Sequence, residues 1–330
     1  MIVDTHCHFL SPKVLDLVDG FATRQVDDGE AELYFGDRRL GPMLPRLNEL
    51  SILMEDSDRF GVDVRALCGP SWLHCYWAPV EWGTRFARAM NDTLAEAVAQ
   101  HPDRLVGLAT VPLQDVDAAI AELRRAVGEL GFRGVATVTH VERRYFDDPT
   151  LWPFLEAAAD LDVPVFLHPH DVAGVDRMDR FRLVQMLGNP HEATFALART
   201  VLSGVLDRIP GLKLCFVQVG GSLPAVLGRM DHTWHARSET RVATRQPPST
   251  YLPRLYFDSI AHSAEPIEFL LRHVPDEQIV MGSDYPWDMG EPQPGQSIRA
   301  LTGSTPESVE RMLGGNAARL LRLDHAGSAG

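Results

Sequence analysis

Lysine is almost missing from this chain: Lys13 and Lys213 are the only two in 330 residues, so the positive charge is nearly all guanidinium. Basic side chains are also the minority, 31 against 45 acidic ones, for a formal net charge of −14. That balance argues against an extended basic face that displaces counterions from nucleic acid. Cysteine is scarce. Cys7, Cys68, Cys75 and Cys215 are scattered and form no CxxC pair, which speaks against a disulfide framework or a thiolate zinc site and for a reducing compartment. No apolar run reaches the ~18 residues that read as a membrane span. The polar opening Met1-Ile2-Val3-Asp4-Thr5-His6 lacks the apolar core of a secretion signal. The expectation is a cytoplasmic protein that meets neither membrane nor nucleic acid. Hydrophobic residues at 45% and charged ones at 23% are ordinary for a packed globular chain rather than a disordered one.

Short apolar runs near residues 2–6, 62–69, 104–110, 133–138, 162–167, 212–217, 254–258 and 278–282 alternate with helical stretches. Many of these runs lack a polar face, as parallel strands buried on both sides do. Between two of them Val116, Ile120, Leu123, Val127 and Leu130 form a helical stripe, closed by Gly131. Eight strands with intervening helices predict an α/β fold, a (β/α)8 TIM-type barrel, over residues 1–323 as one domain. The rival, a doubly wound open sheet, lacks its GxGxxG fingerprint. Residues 20–45 break the rhythm. The turn signal Asp27-Asp28-Gly29 before Ala31-Glu32-Leu33-Tyr34-Phe35 predicts a small β-hairpin inserted after strand one. Residues 236–250 read as a long loop, Thr305-Pro306-Glu307 as a helix start, Gly314-Gly315 as an interruption, and 324–330 as a frayed tail.

Asp4-Thr5-His6-Cys7-His8 ends the first strand. Residues two apart on a strand share a face, so His6 and His8 point together while Cys7 points to the helices. Two such imidazoles can bind one divalent cation; a hydrogen-bonded pair at a strand end explains the same spacing. His168, in Phe166-Leu167-His168-Pro169-His170, ends strand five, and Asp284, in Gly282-Ser283-Asp284-Tyr285-Pro286, follows strand eight. Alone, the first reads as a packed histidine and the second as a helix cap. Strands one, five and eight, however, end on the one face of a barrel where active sites sit. Three nitrogens and a carboxylate suit zinc with an open water position. Asp4 shares sequence parity with His6 and His8, so it reads either as an orienting partner for one of them or as a cap. Trp72, His74, Tyr76 and Trp77 follow strand two and could line a pocket, although aromatic clusters are more often packing. His232, His235 and His262 have no ligand spacing.

These pieces, with Val163-Pro164-Val165, Val217-Gln218-Val219-Gly220-Gly221-Ser222-Leu223-Pro224, Leu108-Ala109-Thr110-Val111-Pro112-Leu113 and Asn316-Ala317-Ala318-Arg319-Leu320-Leu321, resemble the amidohydrolase superfamily. The branch they resemble contains aminocarboxymuconate-semialdehyde decarboxylase and related non-oxidative decarboxylases, and the resemblance runs from residue 1 to about 323. It implies zinc, or another divalent metal such as Mn2+, held by His6, His8, His168 and Asp284. It implies Arg229 as a carboxylate clamp reaching across a homodimer interface, a role a guanidinium fork suits, and in the expected reaction Asp284 would bind the metal and help relay the proton. A helix-surface arginine paired with Asp231 or solvent is the plainer reading of Arg229. The expected activity is a zinc-dependent carboxy-lyase acting on a small aromatic or unsaturated carboxylic acid; the alternative is a metal-dependent hydrolase of a lactone, ester or amide.

Two positions depart from the family pattern. Where the family has a catalytic histidine after strand six, this chain has Gln218. An imidazole moves protons near neutrality, whereas an amide only donates and accepts hydrogen bonds. Three accounts of Gln218 stand: an engineered substitution, another base with His170 and Asp284 nearest, or an inactive ligand-binding descendant. The second departure is a family arginine expected just before strand two. It has no counterpart in Ser51-Ile52-Leu53-Met54-Glu55-Asp56, which points to a substrate with fewer carboxylates.

Overall fold

The computed structural model describes residues 1–26 and 31–323; the expected Asp27–Gly29 turn and the 324–330 tail lie outside the described residues. Eight parallel strands form the barrel: β1 Val3–His8, β2 Val64–Cys68, β3 Leu105–Ala109, β4 Gly134–Val138, β5 Val165–His168, β6 Leu214–Phe216, β7 Tyr256–Asp258 and β8 Ile279–Val280. They hydrogen-bond in that order. The segment after β8 then returns to β1: Thr5 N–H donates to Met281 O at 2.9 Å, His8 N–H to Tyr285 O at 2.8 Å, and Asp284 N–H to His6 O at 2.9 Å. All eight expected strands are present, and the (β/α)8 barrel is the fold.

Alternation along the strands separates two apolar layers. Val3, Val64, Ala66, Cys68, Leu108, Ala136, Phe166, Cys215 and Val280 fill the interior, where Ala317, Leu320 and Leu321 of the last helix join them. Residues of opposite parity, such as Cys7, Leu67, Val135, Leu167 and Phe216, meet the surrounding helices. The helices start where the sequence allows. Asp115 accepts the Ala118 N–H at 2.9 Å and caps Val116–Gly128, which buries Ala119, Leu123 and Ala126. Thr305 caps Pro306–Glu310 in the same way, and the wider turn Arg311–Gly315 marks the Gly314-Gly315 interruption.

The insertion is larger than the expected hairpin. Phe21–Gln25 and Ala31–Phe35 pair antiparallel, and a third strand, Arg38–Met43, pairs with the second. The tight return at Gly36, whose φ is 57°, carries the chain into it. Phe35 packs edge-on against Trp77 and Trp82, ring centroids 5.1 and 4.8 Å away, which ties the small sheet to the segment following β2.

β1 also carries a bulge. Asp4 pairs with Arg65 but Cys7 with Leu67, so one extra residue sits between them. The bulge breaks the parity assumed for Asp4. Its carboxylate lies on the helix side with Arg65, away from the side of His6 and His8.

Candidate metal centre

β1, β5 and the turn after β8 bring four predicted side chains to one point. Ligand atoms of His6, His8, His168 and Asp284 all lie within 4.8 Å of one another. His6 Nε2 is 3.2 Å from His8 Nε2, and the Asp284 Oδ1 oxygen is 3.3 and 3.2 Å from those two nitrogens. For donors about 2.0–2.1 Å from a shared tetrahedral ion, neighbouring donors are roughly 3.3 Å apart. The spacing therefore fits a divalent cation. The tautomers fit as well. His6 Nδ1 faces Asp258 Oδ2 at 2.8 Å, His8 Nδ1 faces the Gly69 carbonyl at 3.2 Å, and His168 Nδ1 faces the Pro169 carbonyl at 2.7 Å. With each Nδ1 donating outward, each Nε2 keeps its lone pair for the centre. Two facing lone pairs 3.2 Å apart repel unless a cation lies between them.

The electrostatics point the same way. Burial lowers the His6 pKa, but the Asp284 and Asp258 carboxylates outweigh it and raise it to about 10. Burial opposes ionisation of Asp284 too, yet the His6 and His8 imidazoles hold its carboxyl far below the usual carboxylate range. His168 is held well below the ordinary imidazole value, first by burial and then by His6 and His8. The centre thus favours one extra positive charge.

Asp258, fully buried at the end of β7, is the residue sequence reasoning missed. Besides holding His6, its Oδ1 accepts the Gln218 N–H at 2.6 Å and the Ile260 N–H at 3.2 Å. The signal was available: Tyr256-Phe257-Asp258 puts a carboxylate at a strand tip just as Gly282-Ser283-Asp284 does. Gly282 is required beside it, since a Cβ there would lie 2.8 Å from the His6 Cβ. Asp4, by contrast, orients no imidazole ring. It accepts from Arg65 Nη1 at 2.5 Å and from Ser283 Oγ and N at 2.6 and 3.0 Å, pinning the loop that presents Asp284.

Gln218 is half-buried and left-handed at φ 56°, followed by Val219 at φ 50°. For a β-branched residue such a φ is strained, and strain of this kind clusters at functional sites. Gln218 thus stands one carboxylate away from His6. Its Oε1 is buried and accepts no hydrogen bond among the described residues. Arg229 is not brought to the centre within the chain; it is exposed on the outer helix Leu223–Ala236.

A cavity of about 290 Å³, which none of the four centre residues lines, is reached through the neighbours of His168: Val138 at the end of β4 and His170 line it, with His140, Trp72, His74, Tyr76 and Trp77. Val138 is the register partner of His168. The aromatic residues after β2, which could line a pocket, do form a cavity wall. Burial, with His170 and His8 nearby, pushes the His74 pKa down to about 3, and burial likewise lowers that of His170. A larger cavity, about 500 Å³, lies among Gly221, Pro224, Glu265 and Phe269, and none of the four centre residues lines it.

An amidohydrolase family model matches residues 3–323, and the chain belongs to the amidohydrolase family. Among its curated relatives is the 2-amino-3-carboxymuconate-6-semialdehyde decarboxylase of Dictyostelium discoideum, 32% identical over 323 residues that cover 98% of this chain and 84% of that one. A solved 5-carboxyvanillate decarboxylase from Sphingomonas paucimobilis superposes with a TM-score of 0.82 at 28% identity, covering 97% of this chain and 98% of that one. A dihydroxybenzoic acid decarboxylase from Polaromonas, solved with bound manganese, shares the fold with a TM-score of 0.79 at 24% identity, covering 98% of each chain. No helix among the described residues is long and apolar enough to cross a membrane.

Proposed function

We propose that this protein is a metal-dependent, non-oxidative carboxy-lyase acting on a small aromatic or unsaturated carboxylic acid. The observation that carries the reading is the convergence of three Nε2 lone pairs and one carboxylate in a chain whose relatives are decarboxylases. His6, His8, His168 and Asp284 would hold the metal. Zinc suits three imidazoles and a carboxylate, and manganese, present in the Polaromonas neighbour, is the alternative. When bound, such an ion supplies a Lewis acid that polarises a substrate oxygen.

The chain's own residues do the rest. In the reaction the bond from carbon to carboxylate breaks, its electron pair stays on carbon, and a proton replaces the departing CO2. Asp284 would help relay that proton. Gln218 donates and accepts hydrogen bonds and moves no proton, so its role is to hold the substrate. The aromatic wall orients a planar acid, and burial of the centre strengthens each charge interaction. Arg229, exposed on its helix, fits a carboxylate contact made across a homodimer interface. Four free and buried thiols fit a cytoplasmic setting.

The test is to load the purified protein with zinc or manganese, offer it muconate-type and hydroxybenzoate acids, and measure CO2. Release from at least one acid is expected; no CO2 at any metal loading overturns the reading. Gln218 favours a second reading, a ligand-binding protein that has lost its chemistry. Installing histidine at 218 separates the two, because a binding descendant gains no turnover from it.

A further inference from the structure

The aromatic-walled cavity also carries two guanidinium groups, Arg38 and Arg143, that the reading above leaves unused. Arg38 comes from the third strand of the inserted sheet, and its guanidinium carbon lies 4.6 Å from the centroid of the Trp77 ring. That cation–π contact holds the group against the aromatic wall. The wall and the strand are fitted together at Gly41, where a Cβ would lie 2.4 Å from the Trp72 ring. Arg143 comes from the turn after β4. There Glu142 and Arg143 are left-handed in succession, at φ 48° and 70°, and the Arg143 N–H donates to His140 Nδ1 at 3.1 Å. The turn is thus locked to a residue of the cavity itself.

Neighbouring arginines are already committed: Arg39 binds Glu32 at 2.5 Å, and Arg24 binds Asp37 at 3.4 Å. Arg38 and Arg143 have no carboxylate within salt-bridge distance among the described residues. Glu142 and Asp171 also line the cavity and, like Arg38 and Arg143, are exposed. One unpaired fork against the aromatic wall and a second lining the same cavity suit an anionic group on a flat molecule.

We propose that Arg38 and Arg143 bind a second carboxylate of a planar diacid whose ring lies against Trp72 and Trp77, the first carboxylate facing the metal centre. This deepens the function proposed above and rests on it. It runs against the expectation of fewer carboxylates: the arginine missing before β2 would be supplied from the inserted strand and the β4 turn.

Isophthalate and benzoate, which differ by one carboxylate, are the probes. Their affinities for the manganese-loaded full-length protein are measured by titration calorimetry. Wild type is expected to prefer isophthalate by about tenfold or more, the scale of one charge-assisted hydrogen-bonded contact. R38Q and R143Q should each remove most of that preference, and R38K, a point charge without the fork, should restore only part of it. Metal content and thermal melting check that each variant is folded. Should a variant fail to fold, the wild-type preference must still shrink as salt is raised. Equal binding of both probes, binding of neither, or an undiminished preference in the R38Q/R143Q double variant overturns the proposal. None of these readings depends on turnover. Failure to release CO2 from any acid would instead count against the lyase reading.

Discussion

At the floor of the barrel mouth, the Nδ1 of each of three imidazoles has an acceptor supplied by a strand end or the turn after it. Along the wall, by contrast, Arg38 and Arg143 sit exposed on an inserted strand and a turn. The floor is therefore preorganised: its side chains are held by buried partners whether or not a ligand is present. The wall owes its chemistry to segments that hang on the barrel and can differ without disturbing it. On the function proposed above, reaction type would belong to the first region and choice of acid to the second.

The harshest way to break this division is to remove a floor ligand. His168→Ala should bring metal content to that of a metal-free control and CO2 release to background. Retention of both would end the distinction, as read by elemental analysis beside the CO2 assay. Next in size is a gain. Gln218→His should raise CO2 release by about 10²-fold, the lower end of what a positioned acid–base group contributes; no gain would favour the ligand-binding reading. Asp258→Asn sharpens the comparison from below the floor. Losing the acceptor that sets the His6 tautomer should weaken metal affinity by about 10–100-fold, as measured by competition with a chelator. Trp77→Ala, a wall change, should leave metal affinity alone and raise KM.

The smallest effect is a pH dependence of stability from His74. Its folded pKa lies near 3, below the unfolded value near 6.5, so the unfolded chain takes up a proton that the folded one refuses. Above pH 6.5 this group has no effect. As pH falls from 6.5 toward 3 it progressively destabilises the fold. Melting curves of His74→Asn should therefore fall less steeply over that window than those of wild type.

Much of the floor was legible because its signals are local. The eight apolar runs, the two-residue spacing of His6 and His8, and the strand-tip positions of His168 and Asp284 need only strand periodicity and barrel topology. Asp258 carried the same signal as Asp284 but no family motif pointed to it, and its task depends on contacts 252 residues away at His6 and 40 at Gln218. Asp4 was misplaced for a different reason. Parity counts assume regular pairing, and one bulge between Asp4 and Cys7 turns the carboxylate to the other side. The wall was least legible. Arg38 and Arg143 are 105 residues apart, and nothing in either segment tells a solvated arginine from a cavity-lining one.

The linear order of residues determined the barrel and the kind of ligand atoms its mouth presents, since both follow from burial along strands and from side-chain chemistry that each residue carries with it. Tertiary structure alone decided which carboxylate aims which imidazole, where the bulge turns Asp4 away, and which arginines meet one cavity. Those are facts of distance between remote segments, set by closure of the sheet and packing of the inserted strands, and no periodicity in the chain encodes them.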